Sequence, residues 1–164
     1  MYFNSAGIIN TQDTVDLALK AAVEKNIKYI VVASSSGDTA KLLINEKDIN
    51  IICVTHANGF PEPGKNEMPL EIRSELGSLG MKVLTTTHVL SGAERGISKS
   101  FGGVYPVEII ANSLRMFGQG TKVCVEVSIM ALDAGLIPYR EPIIAIGGTG
   151  KGADTAVIIT PSHA

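Results

Sequence analysis

A run of hydroxyl side chains ends in a glycine directly after the first apolar segment of the chain. This serine loop, residues 34–39, consists of Ser34, Ser35, Ser36, Gly37, Asp38 and Thr39. Hydroxyls and the free N–H groups of a helix's first turn bind anions, and glycine lets the backbone approach a ligand closely. A helix cap formed by Ser36 or Asp38 alone is the alternative, although one cap needs only one side chain. The loop is therefore predicted to bind a phosphate group.

A second loop, residues 147–154, is rich in glycine and is called the glycine loop below. Its predicted ligand-binding residues are Gly148, Thr149, Gly150, Lys151, Gly152 and Asp154. It is neither a Walker A sequence nor a dinucleotide fingerprint, because Lys151 is followed by glycine and no helical pattern follows. Four glycines in six residues exceed what a plain hairpin needs, since each is entropically costly in a regular element. Ligand contact and turn geometry both remain open as interpretations.

Two similar pairs, Thr55-His56 and Thr87-His88, stand where an apolar run gives way to a long loop. An imidazole can donate to a phosphate or act as an acid–base group. A structural imidazole bonded to nearby backbone is the alternative. Two histidines without a matched carboxylate or cysteine spacing do not predict a metal site.

Residues 90–103 are predicted to form a long structureless loop, which is typical of lids and binding loops. Arg95 and Lys99 are candidates to close on a phosphate, and Phe101 is a candidate to stack on a flat ring. Solvated side chains on an exposed loop are the alternative. Glu126 interrupts an otherwise apolar helical segment and is expected to face a crevice, an interface or solvent.

Apolar runs and helical periodicities alternate along most of the chain. Strands are predicted over residues 28–33, 49–55, 81–85, 142–147 and 156–160, and helices over residues 11–23, 38–46, 70–79, 106–117 and 122–134. Strands that alternate with helices, and that read as continuous apolar runs, predict a parallel sheet covered on both faces. Only about eight residues separate the last two strands, which is too short for a parallel crossover, so an antiparallel hairpin is predicted there.

The order of the strands decides where these loops meet. If the first and fourth strands are neighbours, the winding of the chain reverses between them. Ligands of open α/β sheets bind at such a switch point, beyond the carboxyl ends of the strands. The serine loop and the glycine loop are then predicted to face each other across one anion-binding crevice.

Composition narrows the classes of partner. A net charge of −2 provides no basic field for nucleic acid or an anionic membrane, and no apolar run approaches the ~20 residues of a membrane span.

With 45% apolar residues, residues 1–164 are predicted to form a single domain. The absence of a signal-peptide pattern, together with Cys53 and Cys124 among apolar neighbours, predicts a cytoplasmic protein with buried free thiols. The apolar segment 123–130 is either deeply packed or covered by a partner subunit, so a homo-oligomer is one expectation.

Residues 30–40, IVVASSSGDTA, resemble the strand–loop–helix of the pyruvate kinase C-terminal domain, in which the corresponding loop holds the phosphate of a sugar-phosphate effector. Residues 54–60 (VTHANGF), 101–106 (FGGVYP) and 146–156 (IGGTGKGADTA) resemble a family of stand-alone proteins, mainly archaeal, named after that domain. This resemblance covers essentially the whole chain. It implies a three-layer α/β/α fold with a five-stranded mixed sheet of order 3-2-1-4-5 and an antiparallel last strand. It also implies flavin mononucleotide (FMN) as the ligand, and it carries over no established reaction.

The expected function is therefore that of a small-molecule-binding protein, which binds FMN or a similar phosphorylated ligand at the carboxyl ends of the strands. If it is an oxidoreductase, the flavin carries the electrons, with Phe60, Phe101 and Tyr105 as candidate ring partners. Pyruvate kinase activity is not expected, because that chemistry belongs to a (β/α)₈ barrel of about 250 residues. Two alternatives stay open. One is a non-catalytic sensor of a phosphorylated metabolite, and the other is an enzyme acting on a sugar phosphate or nucleotide with His56 or His88 as acid–base group.

Overall fold

Strands from both halves of the chain form one sheet in the computed structural model, which describes residues 1–44, 46 and 48–164. The strands are β1 (Tyr29–Ala33), β2 (Asn50–Val54), β3 (Lys82–Leu84), β4 (Ile143–Gly147) and β5 (Thr155–Ile159). Their order is β3-β2-β1-β4-β5. β1 pairs in parallel with β2 and β4, β2 pairs in parallel with β3, and β4 and β5 are antiparallel. The predicted strand order and the terminal antiparallel hairpin are confirmed.

Helices cover both faces of the sheet, which gives the predicted three layers. They are α1 (Thr11–Glu24), α2 (Asp38–Lys41), α3 (Leu70–Ser78), α4 (Gly92–Phe101), α5 (Pro106–Arg115) and α6 (Gln119–Asp133), and a 3₁₀ turn (Ile8–Asn10) precedes α1. Successive strand residues point to opposite faces. Ile30 and Val32 of β1 therefore pack in one core with α1 and α3, whereas Val31 packs in the other with α6. This double burial is the reason that β1 reads as a continuous apolar run.

The central helix α6 packs close to the sheet because glycine occurs where the two backbones meet. A Cβ on Gly120 of α6 would overlap the side chain of Thr155, and one on Gly147 of β4 would lie 2.9 Å from Cγ1 of Val123. Nine residues of α6 are buried. The apolar segment 123–130 is thus packed within this chain, so its composition no longer argues for a partner subunit.

Residues 90–103 do not form the structureless loop that the sequence predicted, because α4 occupies most of them. The glycine content misled that prediction. Gly92 and Gly102 mark the two ends of α4, and only Gly96 lies inside it, where glycine costs about 1 kcal/mol relative to alanine. Ile97 and Phe101, four residues apart, fall on one side of the helix.

The helix predicted over residues 38–46 is also shorter than expected. α2 ends at Lys41, and the N–H groups of Leu42 and Leu43 bond three residues back instead of four, to Thr39 and Ala40. The predicted helix at Asn45 falls outside the described residues. Because the positive end of a helix depends on many aligned peptide dipoles, this single turn adds little potential to the serine loop.

The environment of the two cysteines agrees with the sequence analysis. Cys53 and Cys124 are buried and free, and burial raises the pKa of each thiol to about 12. The prediction of buried free thiols is confirmed. Across the described residues, no helix combines the length and apolarity that crossing a bilayer would require.

Candidate functional site

A cavity of about 1100 Å³ lies at the carboxyl ends of the parallel strands, where the winding of the sheet reverses. The serine loop and the glycine loop both line it. The residues of these loops on its wall are Ser34, Ser35, Ser36, Asp38, Thr39, Gly148, Gly150, Lys151 and Gly152. Gly37, Thr149 and Asp154 are not on the wall. The two loops therefore converge on one cavity, as the topology predicted.

The serine loop carries backbone donors that the protein itself does not use. Ser34 is buried and its hydroxyl accepts a bond from the backbone of α2, whereas Ser36 Oγ donates to Asp38 Oδ2 at 2.7 Å. The N-cap residue of α2 is Gly37, and the N–H of Asp38 in the first turn donates to Ser36 Oγ at 3.4 Å. In the described part of the chain, the N–H groups of Ser35 and Ser36 donate no hydrogen bond to protein. Capping of α2 thus accounts for the hydroxyls of Ser34 and Ser36, and it leaves these two N–H groups unused.

Gly37 is a glycine for a reason that the sequence did not reveal. Its φ of 96° is in the left-handed region, and a Cβ there would lie 2.5 Å from Cγ2 of Ile72 in α3. The expected close approach at this position is thus made to α3 and not to the cavity.

The glycine loop has both features that the sequence left open, because some of its glycines are required by the turn and some of its residues line the cavity. Gly150 and Gly152 have φ of 75° and 71°, and a Cβ on Gly152 would overlap Thr11 Oγ1. Among the described residues, the N–H groups of Gly148, Gly150, Lys151 and Gly152 donate no hydrogen bond to protein. The loop thus combines a strained turn with unused donors on the cavity wall.

Asp154 fixes the shape of the glycine loop from outside the cavity. Its Oδ2 accepts bonds from the N–H groups of Gly7 at 2.8 Å and Thr149 at 3.1 Å, and its Oδ1 accepts one from Thr155 Oγ1 at 2.8 Å. Burial alone would raise the pKa of this carboxyl, but these hydrogen bonds outweigh it and hold the pKa below its ordinary value. Asp154 and Thr149, both predicted to contact the ligand, therefore support the loop.

Of the two Thr-His pairs, three residues line the cavity and Thr87 does not. The hydroxyl of Thr55 is occupied, because it donates to the carbonyl of His56 at 2.9 Å. His56 Nδ1 lies 2.7 Å from Glu67 Oε2. The N–H of Ala57 donates to His88 Nε2 at 3.3 Å. The two imidazoles, which look alike in sequence, are thus held in different ways.

These imidazoles belong to an aromatic cluster, defined here as His56, Phe60 and His88. The rings of His56 and Phe60 are stacked with centroids 4.0 Å apart, and His88 lies 5.5 Å from His56 and 5.6 Å from Phe60. The guanidinium carbon of Arg95 lies 5.6 Å from the centroid of Phe60. Burial is the main cause that lowers the pKa of His88, and the positive charges of His56, Lys122 and Arg95 lower it further. The negative charge of Glu126 acts in the opposite direction. His88 is therefore kept neutral near pH 7.

A buried ion pair forms part of the cavity wall, and sequence reasoning found only half of it. Lys122 Nζ donates to Glu126 Oε2 across one turn of α6, and both side chains are 7% exposed. Glu126 Oε1 also accepts the N–H of Leu90 at 2.9 Å. Glu126 thus faces the cavity, one of the orientations left open. The spacing of four residues between Lys122 and Glu126 in an apolar segment is the signal that could have found the pair.

Further cationic side chains reach the same wall. Arg95 lines the cavity as the sequence suggested, whereas Lys99 and Phe101 do not, and Phe101 is 84% exposed. Arg115, which sequence reasoning missed, donates to Gln119 Oε1 at 2.8 Å and to Asn112 Oδ1 at 3.0 Å. No local signal in the sequence marks Arg115, because only the packing of α5 beside α6 places it there.

Metal ligands are not assembled at this site. Over the ranges that the structure describes, no group of three or more histidine, cysteine, aspartate or glutamate side chains is placed to hold a metal ion. The groups suited to a cofactor are backbone N–H donors, unpaired cations and aromatic rings.

A mixed sheet with a ligand-sized cavity at its switch point defines an α/β domain of the doubly wound class. The family model described as the pyruvate kinase alpha/beta domain matches residues 12–159, and this chain belongs to that family. The fold is similar to that of a pyruvate kinase from Cryptosporidium parvum, with a TM-score of 0.50 and 17% identity, covering 97% of this chain and 24% of that one. The complex of the Cryptosporidium parvum pyruvate kinase with ADP gives a TM-score of 0.49 and 18% identity, covering 97% of this chain and 25% of that one. The chain thus spans about a quarter of the length of the pyruvate kinases that it matches.

Proposed function

We propose that this chain is a small-molecule-binding protein whose cavity holds a phosphorylated ligand with a planar ring, FMN being the specific candidate. The observation that supports the proposal is that residues of the serine loop and the glycine loop line one cavity and that several of them have backbone N–H groups without an acceptor among the described residues. Loops of this kind at the carboxyl ends of strands provide donors for phosphate oxygens. The donors for a phosphate come from the loop backbones, since α2 is too short to contribute a strong dipole.

The cavity wall carries four basic and four acidic side chains, so the attraction of an anionic ligand depends on cations that have no carboxylate partner. Among the described residues, neither Arg115 nor Lys151 has a carboxylate within ion-pair distance. Lys122 is already neutralised by Glu126, so the positive charge that remains for a ligand comes from other side chains. Asp38, Glu67 and Glu108 on the same wall oppose it with three negative charges. Arg115 and Lys151 are therefore expected to supply most of the electrostatic attraction for a phosphate.

The aromatic cluster provides a surface for a flat ring. Phe60 is 45% exposed and stacks on His56, so part of its apolar ring is open to the cavity. Burying such a ring against a ligand ring is favourable both through apolar area and through offset stacking. The cluster therefore suits the isoalloxazine of a flavin or the base of a nucleotide.

The size of the cavity agrees with such a ligand. Its volume of about 1100 Å³ slightly exceeds that of typical small-molecule sites, which are about 300–1,000 Å³. The volume is therefore sufficient for a ligand of the size of a mononucleotide. If FMN binds, the two loops and the aromatic cluster would hold it, and the flavin would supply electron-transfer chemistry.

The test compares the dissociation constants of FMN and of riboflavin, which lacks the phosphate. Each flavin is titrated with the protein while its fluorescence is measured. We expect FMN to bind at least about tenfold more tightly, the contribution of one charge-assisted hydrogen bond. Lys151→Ala should weaken FMN binding and leave riboflavin binding unchanged. Lys99→Ala is the matched control, because Lys99 is not on the cavity wall.

Equal affinities for FMN and riboflavin would contradict a phosphate site at these loops. If the protein binds no flavin but sugar phosphates raise its melting temperature, the sensor alternative replaces the flavin candidate. If neither class of compound binds, the proposed function is wrong.

A further inference from the structure

The imidazole of His56 is oriented as an acid–base group. Its Nδ1 lies 2.7 Å from Glu67 Oε2, and the two side chains are 37% and 40% exposed, respectively. A carboxylate accepts the Nδ1–H of a neutral imidazole, so the lone pair of that ring is on Nε2. In the described part of the chain, Nε2 of His56 makes no hydrogen bond to protein. His56 and Glu67 both line the cavity, so this nitrogen can exchange a proton with a bound molecule.

The second imidazole of the cluster is not arranged in this way. His88 Nε2 accepts the N–H of Ala57, so the lone pair of that ring is already in use. Of the two histidines between which the sequence could not choose, the geometry favours His56. His88 instead packs beside His56 and holds the loop after β2 in place.

A permanent positive charge, that of Arg95, lies over Phe60 of the aromatic cluster. The guanidinium carbon of Arg95 is 5.6 Å from the centroid of Phe60, whose ring is stacked 4.0 Å from that of His56. Among the described residues, no carboxylate lies within ion-pair distance of Arg95. The charged and titratable groups around His56 are thus Glu67 from its own loop, His88 from the loop after β3, and Arg95 from α4.

We propose that His56, positioned by Glu67, is a proton-transfer residue acting on a small phosphorylated aldehyde or ketone, with Arg95 stabilising the negative charge that develops on the carbonyl oxygen. The inference rests on the proposed function, because the phosphate is anchored by the serine and glycine loops. A neutral imidazole held by a carboxylate and paired with a fixed cation suits abstraction of a proton next to a carbonyl group.

The step balances without an oxidant or reductant. Nε2 of His56 takes the proton from the carbon next to the carbonyl, and the electron pair of that C–H bond becomes the C=C bond of an enolate, which is an enediolate where that carbon carries a hydroxyl. The electron pair of the C=O π bond moves to the carbonyl oxygen, whose negative charge Arg95 would stabilise. Return of the proton to the same carbon regenerates neutral His56 and the original compound. From an enediolate, transfer of the hydroxyl proton to the oxyanion and return of the carbon-bound proton to the neighbouring carbon yield the isomer.

The experiment measures solvent deuterium entering dihydroxyacetone phosphate and glycolaldehyde phosphate, followed by proton NMR. We expect exchange with the wild-type protein and a loss of about a hundredfold or more in His56→Asn. Glu67→Gln should slow exchange less than His56→Asn and leave the affinity for both carbonyl compounds unchanged, because an amide oxygen accepts the Nδ1–H of His56 less strongly than a carboxylate does. A merely structural role for Glu67 would weaken binding together with exchange.

His163→Asn is the matched control. His163 also lies 2.6 Å from a carboxylate, that of Asp133, but it is not on the cavity wall. The exchange rate of the His163→Asn variant should equal that of the wild type. Melting temperatures of His56→Asn, Glu67→Gln and His163→Asn, together with the binding and exchange measured for Glu67→Gln, distinguish a loss of proton transfer from a loss of folding.

Several outcomes would overturn this inference. One is exchange that is unchanged in His56→Asn, and another is a protein that binds both carbonyl compounds without exchanging their protons. Binding of FMN but of neither carbonyl compound also overturns it, and leaves the proposed function standing. If no phosphorylated compound binds at all, the proposed function itself fails.

Discussion

The helices α4 and α6 both border the cavity, yet they are built in opposite ways. Nine residues of α6 are buried, whereas α4 has no buried residue. α6 packs against β1, β2, β4 and β5, while the helix that α4 contacts is α5. α4 is attached largely by polar bonds, among them Val107 N–H to Glu94 Oε2 at 2.7 Å and Ser98 Oγ to Glu108 Oε1 at 2.7 Å.

This difference shows how one cavity combines two kinds of wall. The charges on α6 are fixed by packing, so Lys122 and Glu126 keep their positions whether or not a ligand is present. Arg95 on α4 depends on a helix held by few contacts, and segments with few buried contacts open at low free energy. The contrast predicts that equal substitutions on the two helices have unequal effects.

The largest contrast is expected between Glu126→Gln and Glu94→Gln. Each glutamate accepts one backbone N–H, from Leu90 and Val107 respectively. Glu126→Gln leaves Lys122 buried without a counter-charge, which should lower the free energy of unfolding by ~3–5 kcal/mol. Glu94→Gln should cost about 1 kcal/mol or less. Urea unfolding of both variants measures the difference, and equal losses would mean that α6 is not the more rigid wall.

A smaller contrast is expected when one glycine on each helix is replaced by alanine, because the two substitutions should change the free energy of unfolding in opposite directions. A Cβ on Gly120 of α6 would overlap Thr155, whereas one on Gly96 of α4 meets nothing within 4 Å. Gly120→Ala should therefore destabilise the protein by ~1–3 kcal/mol. Gly96→Ala should stabilise it by about 0.5–1 kcal/mol through helix propensity. Thermal unfolding checks both signs, and a stabilising Gly120→Ala would refute the close packing of α6.

The smallest effect is expected in the pH dependence of the free energy of unfolding, to which His88 contributes because its pKa is lowered in the folded protein. Burial lowers the pKa of His88 from 6.5, so the unfolded chain binds this proton more readily than the folded one. The stabilising contribution is complete above pH 6.5 and is lost as pH falls from there through the lowered pKa of the folded state. His88→Gln should remove this part of the pH dependence of the free energy of unfolding. An identical pH profile in wild type and variant would show that burial does not lower the pKa of His88.

Much of the fold followed from the sequence because its signals are local. Continuous apolar runs marked the strands, and the short spacing between β4 and β5 required an antiparallel pair. The elements predicted wrongly were those whose residue composition favours a different structure from the one that they adopt in the folded chain. Glycines at both ends of α4 made a helix look like a loop, and α2 stopped after one turn although its sequence continues to favour helix.

The candidate site was predictable only in outline. The hydroxyls of the serine loop and the glycines after β4 stood out by type, and topology required the two loops to meet. Their individual roles did not follow, because Gly37 contacts Ile72 of α3 and Asp154 bonds to Gly7, partners that are distant along the chain. Lys122 was missed because it stands in an apolar run that predicts only burial.

By itself, the sequence determined where the strands and most helices form and on which edge of the sheet the polar loops gather, since periodicity and strand direction decide both. Only the tertiary structure decided that His56 is held by Glu67 while His88 is held by the backbone of Ala57. The first bond joins distant positions of one loop and the second joins two loops, so the two Thr-His pairs are indistinguishable until the loops pack. The physical reason is that local patterns specify what an element is, whereas the partner of each side chain depends on contacts between segments that no local pattern encodes.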